Sequence, residues 1–207
     1  MRICTTNPGK LAEFGGLLAP IGLTLTASDA TLDIPETGST FKDNAIEKAK
    51  GYAKVYPGEW LLSEDSGLVV PALNGMPGPW SARYAHLGST VPPLNRPTQD
   101  LMNNQKVLQE LAPVIDGSRG AYFVACLTVI NPKGEVAFIT EQRAYGWIAH
   151  KPMGTNGFGY DPIFISDTTG GKTWAEIDSA RKGLISHRNK AIWDLMAWLC
   201  SSKLDIT

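Results

Sequence analysis

Two apolar runs, residues 60–63 and 68–73, are separated by Glu64-Asp65-Ser66-Gly67. Burying carboxylates without compensation is costly, so two adjacent acids in such a stretch need a physical reason. One reading is that a buried strand breaks here and that the acids hold a hard cation. The other is a turn in which Asp65 bonds its own backbone. If the segment is strand, neighbouring side chains point to opposite faces, and only one of the pair is expected to reach a shared site.

The surrounding pattern alternates helix and strand. Residues 9–18 read as a helix with Leu11, Phe14, Leu17 and Leu18 on one face, and residues 23–27 as a half-buried strand. Thr40, with Asp43 three residues on, starts a helix through Tyr56 whose apolar stripe is Phe41, Ala45, Ala49, Tyr52, Ala53 and Tyr56. Residues 86–97 read as a surface excursion. A helix capped by Thr98 follows, with Leu101, Leu108 and Leu111 inward. Residues 121–130 and 136–149 are strand-rich and joined by the hairpin signal Asn131-Pro132-Lys133-Gly134, and residues 161–165 read as a short strand. A last helix from about His187 to Ser201, capped by Ser186, carries Ala191, Leu195 and Leu199 inward, with Trp193 and Trp198 as core or subunit contacts. The order predicts an α/β fold: a mixed sheet flanked by helices, in one domain over residues 1–207 with two lobes and a cleft between them. At 207 residues, 43% hydrophobic and 19% charged, the chain can bury a core without disulfides.

Charge and cysteine usage narrow the partners. With 19 basic and 20 acidic residues the chain has no general field for a nucleic-acid backbone. Cys4, Cys126 and Cys200 are odd in number, far apart and set among apolar neighbours, as buried free thiols are. The first residues lack the apolar run of a signal peptide, and residues 121–130 are too short to cross a membrane. A soluble cytoplasmic protein is expected, with no nucleic-acid or membrane partner.

Other residues could carry chemistry. Thr5-Thr6-Asn7-Pro8-Gly9-Lys10 lies between the first strand and first helix, where backbone amides face an anion, although Leu11 stands where a Walker loop needs Ser or Thr. Glu36 lies on a loop shaped by Pro35 and Gly38, and Arg83 follows a Gly/Pro loop from which it could reach a phosphate. Gly157-Phe158-Gly159-Tyr160-Asp161-Pro162 is not a dinucleotide fingerprint, since proline and a strand follow it. Its small residues around two aromatics suit a flat base. Lys182, His187 and Arg188 flank the last helix; His86, His150 and His187 are too scattered for a zinc set.

The order of these blocks resembles the inosine/xanthosine triphosphate pyrophosphatase family, which removes non-standard purine nucleotides. The matching segments are Thr5 through Lys10, Glu36 through Ala45 with Lys48-Ala49, Glu64 through Leu68, Gly75-Met76-Pro77-Gly78, Ser81-Ala82-Arg83-Tyr84, Gly157 through Phe164, and Ile185-Ser186-His187-Arg188. The resemblance implies hydrolysis of ITP, dITP or XTP to the monophosphate and pyrophosphate, with Mg²⁺ as cofactor. It also implies a homodimer and an elongated sheet. It places Thr5, Thr6, Asn7 and Lys10 on the triphosphate, and Lys10 as a catalytic group. Asp65 becomes metal ligand and proton acceptor, and Glu36 a second metal ligand. Ser66 would contact substrate, Phe158, Gly159, Tyr160 and Asp161 would hold the base, and Lys182, His187 and Arg188 would close the pocket. Glu64 would point away. The sequence departs from the family at Cys4, Thr6, Asp43, Glu64, Asn156 and Asn189. A pyrophosphatase for other modified nucleotides and a non-catalytic nucleotide sensor are the rival readings. A glycosidase is disfavoured, because Lys10, Lys182 and Arg188 would have no anionic substrate to meet.

Overall fold

The computed structural model describes residues 1–19, 23–28, 34–88, 95–114 and 117–202. Among the described residues, six strands form one sheet in the order β2-β1-β3-β4-β5-β6. They are β1 (Arg2–Ile3), β2 (Thr26–Ala27), β3 (Leu61–Val69), β4 (Gly120–Ile130), β5 (Val136–Ile148) and β6 (Phe164–Ser166). β1 pairs in parallel with both β2 and β3, while β5 and β6 are antiparallel, so the sheet is mixed. The helices are α1 (Pro8–Leu18), α2 (Phe41–Val55), α3 (Arg96–Glu110), α4 (Ser179–Ile185) and α5 (His187–Ser202). The α/β class and mixed sheet read from the sequence are therefore the observed ones.

The chain divides into two compact units. The first comprises residues 1–65, 125–142 and 187–207; the second comprises residues 66–124 and 143–186. In the first unit, Asn7 caps α1 by accepting from the Gly9 and Lys10 amides, and Pro8 opens the helix where a missing N–H costs nothing. Thr40 caps α2 through the Asp43 amide. Phe14 and Leu18 of α1 pack with Leu62, Leu127 and Leu195, whereas Ala49 and Tyr52 of α2 pack with Cys4 and Leu61. Leu61 and Leu62 thus serve opposite faces of β3, one toward α2 and the other toward α1 and α5. The β4–β5 turn is closed by Asn131, whose side chain accepts from the Lys133 and Glu135 amides.

The second unit is built on aromatic packing. Phe123 stacks on Trp174 at 4.9 Å, and Phe164 meets both rings edge-on. β3 enters this unit against the 3₁₀ segment Gly78–His86. A Cβ on Gly67 would stand 2.2 Å from Ser81 Oγ, so this position of the acidic motif admits only glycine. Ser81 Oγ in turn accepts from the Leu68 amide and donates to Gly78 O.

Several local expectations are corrected. The strand does not break at the acids: β3 runs continuously from Leu61 to Val69, with Glu64 and Asp65 in its middle, which also removes the turn reading. Asn95 rather than Thr98 caps α3, because Pro97 extends the helix one turn earlier and Thr98 becomes the residue whose amide is capped. Leu101 is exposed, and the buried face of α3 is largely polar: Gln99, Asn103 and Asn104. Only Thr26–Ala27 of the expected 23–27 strand is extended, and both residues are exposed. Asp161–Ile163 is a 3₁₀ turn, and β6 begins at Phe164. Trp193 is exposed, while Trp198 stacks on Phe138 at 5.1 Å. Cys200 is exposed; Cys4 and Cys126 are buried. Much of the expected 86–97 excursion, residues 89–94, lies outside the described residues. Among the described residues, no helix is long and apolar enough to cross a membrane.

Candidate functional site

The two-residue period of β3 determines what its acids meet. Glu64 shares the face of Leu62 and looks toward α1 and α5. There Lys10 Nζ lies 2.8 Å from Glu64 Oε2, and Arg188 reaches Glu64 Oε1 through Nε at 2.9 Å and a terminal nitrogen at 2.8 Å. Arg188 also pairs with Glu13 of α1. Burial opposes the charge on Glu64, but Arg188 and Lys10 outweigh it and hold the carboxyl far below its ordinary range. Burial likewise opposes the charge on Arg188, and Glu64 and Glu13 restore it.

Asp65 shares the face of Leu61 and looks toward α2. Asn44 Nδ2 donates to Asp65 Oδ2 at 3.1 Å. One turn further along α2, Lys48 Nζ stands 2.6 Å from Glu36 Oε1 and donates to the Glu64 carbonyl at 3.3 Å. Here burial is stronger than the pull of Lys10 and Lys48, and the Glu36 charge adds to it, so the Asp65 carboxyl is pushed up to about 6. Lys48 is disfavoured by burial but kept charged by Glu36 and Asp65. Adjacent carboxylates therefore have opposite electrostatics, one over-compensated and one under-compensated.

In the second unit, Gly157–Asp161 forms a tight loop whose polar groups are mutually engaged. Asp161 Oδ2 accepts from the Phe158 amide at 2.9 Å and from Lys182 Nζ at 2.6 Å. The same ammonium lies 4.6 Å from the Phe158 ring centroid and 5.4 Å from that of Trp174. A Cβ on Gly157, at φ +76°, would fall 1.9 Å from Asp161 Oδ2, so this turn also requires glycine. Tyr160 is buried with its hydroxyl on Ser81 O at 2.8 Å.

The structure thus brings Lys10, Glu36, Asp65 and Arg188 into one charged cluster of the first unit. His187, also buried, is next to Arg188 at the start of α5. Phe158, Asp161 and Lys182 form a second group in the other unit. Ser66 is half-buried directly after Asp65, and Arg83 is exposed. Glu64 points away from the face of Asp65, as expected, and on its own side it is the hub of the ion pairs. Arg188 is 2% exposed and engaged with Glu64 and Glu13. Asn7 spends its side chain on the α1 amides, Tyr160 bonds Ser81 O, and Asp161 bonds the Phe158 amide and Lys182, while Phe158 and Gly159 are the half-buried members of the loop. Thr5 Oγ1 accepts from the Asn7 amide at 3.2 Å, and Thr6 is exposed beside it.

Sequence reasoning missed Asn44, Lys48 and Glu13 as working residues. Asn44 and Lys48 are four apart, each one position before a buried alanine of the α2 stripe. Two polar residues beside an apolar stripe at helical spacing were the available signal. Glu13 carries none that distinguishes it from a solvated helix acid.

The sequence pattern of the Ham1 family matches residues 1–198. A dITP/XTP pyrophosphatase of Streptococcus mutans is 41% identical over 198 residues, 94% of this chain; the chain spans 57% of that relative's length. A dITP/XTP pyrophosphatase of Synechocystis is 41% identical over 189 residues, covering 91% of this chain and 89% of the relative. Among solved structures, the Staphylococcus aureus Ham1 protein superposes with a TM-score of 0.80 at 36% identity, over 97% of this chain and 98% of the other. A HAM1 protein from Coxiella burnetii gives 0.81 at 37%, with the same coverage. Sequence pattern, identity and superposition extend over the same near-complete span as the clustered acids and bases, and on that ground the chain belongs to the Ham1 family.

Proposed function

We propose that this chain is a Mg²⁺-dependent nucleoside-triphosphate pyrophosphatase that hydrolyses non-standard purine nucleoside triphosphates (ITP, dITP and XTP) to the monophosphate and pyrophosphate. Such an activity cleanses the nucleotide pool. The observation that carries the reading is the contrast on β3: Glu64 is neutralised by built-in cations, while burial and Glu36 leave Asp65 short of positive charge. The relatives named dITP/XTP pyrophosphatase supply the substrate class.

Magnesium fits this donor set. The Glu36 charge raises the Asp65 carboxyl, and a hard cation held by the oxygens of Glu36 and Asp65 would relieve that repulsion. Bound there, the ion would offset the negative charge of the triphosphate oxygens. The chain's own residues supply the rest. Asp65, oriented by Asn44, accepts the proton of the water that attacks the α-phosphorus in line. Lys10, whose side chain keeps 15% of its surface exposed, stabilises the departing pyrophosphate, with Thr5 and Thr6 beside it. Ser66 meets the substrate next to Asp65. Arg188 and His187 hold the Glu64 side of the cluster. Phe158 and Gly159 take the base, and the 6-keto oxygen of hypoxanthine or xanthine accepts from a donor that adenine would leave unpaired. A homodimer in the cytoplasm, without a nucleic-acid or membrane partner, belongs to the same proposal.

The decisive experiment is pyrophosphate release from ITP with Mg²⁺ and with excess EDTA. Release is expected only with the metal, and ATP should be hydrolysed far more slowly. Equal rates on ATP and ITP would refute the base selectivity, and metal-independent release would refute the cofactor.

A further inference from the structure

We infer that Asp100 and Asn104 of α3 are positioning residues for recognition of the base: together they fix Gly159 and, through it, the adjoining Phe158 ring. The inference rests on the proposed role of Phe158 and Gly159 in holding the base.

Asp100 and Asn104 are four residues apart and so share one face of α3. Asp100 Oδ2 accepts from the Gly159 amide at 2.9 Å, and Asn104 Nδ2 donates to the Gly159 carbonyl at 2.9 Å. A single residue of the loop is thereby gripped at both backbone groups. The remaining oxygen of Asp100 pairs with Arg96 at 2.9 Å, which fixes the carboxylate itself. Asn103, on the same helix, donates to the carbonyls of Ser81 and Ala82. Ser81 O is also where the Tyr160 hydroxyl ends. Three consecutive members of the loop are therefore tied down: Phe158 by its amide on Asp161, Gly159 by α3, and Tyr160 by Ser81.

Stability alone does not account for this helix face. Asn104 is 4% exposed, and its Oδ1 is buried with no hydrogen-bond partner among the described residues. Burying an acceptor without a donor is unfavourable, and an apolar residue of similar volume would avoid it. Gln99 Oε1 is in the same condition one turn away. What the amide of Asn104 supplies is its one bond to Gly159. Such a clamp pre-organises the shelf on which a flat base rests, and removing it should be felt in base affinity rather than in the phosphate chemistry.

The test uses Asp100→Ala, Asn104→Asp and Asp100→Asn in the full chain. Each is assayed for pyrophosphate release from ITP and for competitive inhibition by tripolyphosphate, which has the phosphates but no base. Asp100→Ala and Asn104→Asp are expected to raise KM for ITP about tenfold with kcat within about twofold, and to leave tripolyphosphate inhibition unchanged. Asp100→Asn, whose amide oxygen still accepts from Gly159, should restore KM to near the unsubstituted value. Hydrogen exchange adds a readout that needs no activity: the Gly159 amide should exchange at least tenfold faster in Asp100→Ala, and the Asp161 amide should not. A fall in kcat at constant KM overturns the inference. So does a loss of tripolyphosphate affinity in step with ITP, or an unchanged Gly159 exchange rate. An Asp100→Asn variant as impaired as Asp100→Ala would assign the effect to Arg96 and overturn it too. If the unsubstituted chain releases no pyrophosphate from ITP, the functional reading fails first and takes this inference with it.

Discussion

The charged cluster of the first unit and the aromatic loop of the second are both buried polar constructions, but they are balanced differently. In the loop, Asp161 is matched by Lys182 and a backbone amide, and Gly159 is gripped at both ends. In the cluster the charge is divided unevenly between neighbours: Glu64 is held far below its ordinary range and Asp65 is pushed up to about 6. The difference separates two tasks. A fully engaged loop gives a fixed surface for recognition, whereas an under-compensated carboxyl beside over-compensated ones is poised to bind a cation or take a proton.

The strongest way to break this comparison is Glu64→Gln. It leaves Arg188 and Lys10 facing a neutral amide in the interior, and removing one partner of a buried pair costs about 3–5 kcal/mol. Urea unfolding should show a loss of that size. A loss below about 1 kcal/mol would mean that Glu64 is not the hub its surroundings indicate.

Asp65→Asn should behave oppositely on stability while losing turnover. Removal of one preorganised catalytic group commonly costs about 10²–10³ in rate, and near-normal pyrophosphate release would sink the catalytic assignment. The stability sign follows from the raised carboxyl. Its folded form holds the proton up to about pH 6, against an ordinary 3.8, so its favourable term is complete below about pH 4 and is lost as pH rises through 6. In EDTA at pH 7 the neutral amide should therefore be the more stable by about 3 kcal/mol, from roughly two pH units at 1.36 kcal/mol each. Glu64 runs the other way: its contribution is present above its ordinary 4.5 and fades as the solution is acidified below it. Unfolding measured from pH 3 to 8 in both variants separates the slopes.

How much of this was legible beforehand depends on the kind of signal. Thr40 and Asp43 at the start of α2, the Phe14 and Leu18 stripe, and the Asn131 hairpin follow local rules, and each appears where the pattern put it. The acids of β3 were recognised as anomalous, yet read as a strand break, because only their helix-borne partners make a continuous strand affordable. Lys10, Arg188 and Lys48 lie 54, 124 and 16 residues from Glu64 along the chain, and no local pattern shows that they converge. The parity argument did anticipate that Glu64 and Asp65 face apart. What it could not supply was which face held the cations. The polar face of α3 was unreadable for the same reason: Asn104 looks like a surface residue until the loop carrying Gly159 folds onto it.

Gly157→Ala probes the other side of the comparison. The added methyl falls on Asp161 and the φ of +76° disfavours any side chain, so about 1–3 kcal/mol of strain is expected. Because the damage stays within the loop, KM for ITP should rise while inhibition by tripolyphosphate does not change. An equal rise in both would show that the two regions are not functionally separable.

The smallest effect concerns groups whose burial in the first unit outweighs the positive charges near them. Burial pushes the thiols of Cys4 and Cys126 up to about 12, against the opposing charges of Lys48 and Arg2 at Cys4, and with Glu141 and Asp65 adding to the rise against Lys42 at Cys126. Cys200 is exposed. At pH 8, iodoacetamide should therefore label Cys200 alone in the native protein and all three thiols in urea, since the thiolate is the reacting form. The linkage has a definite sign. An unfolded thiol loses its proton near its ordinary 9.0 while the folded one keeps it to about 12, so stability should decline steadily across that interval. Cys4→Ala and Cys126→Ala should flatten the decline, each by its own share. Rapid native labelling of Cys126 would show that its surroundings open readily. It would weaken the contrast with Glu64, which the same unit keeps charged at comparable depth because Arg188 and Lys10 are there to meet it.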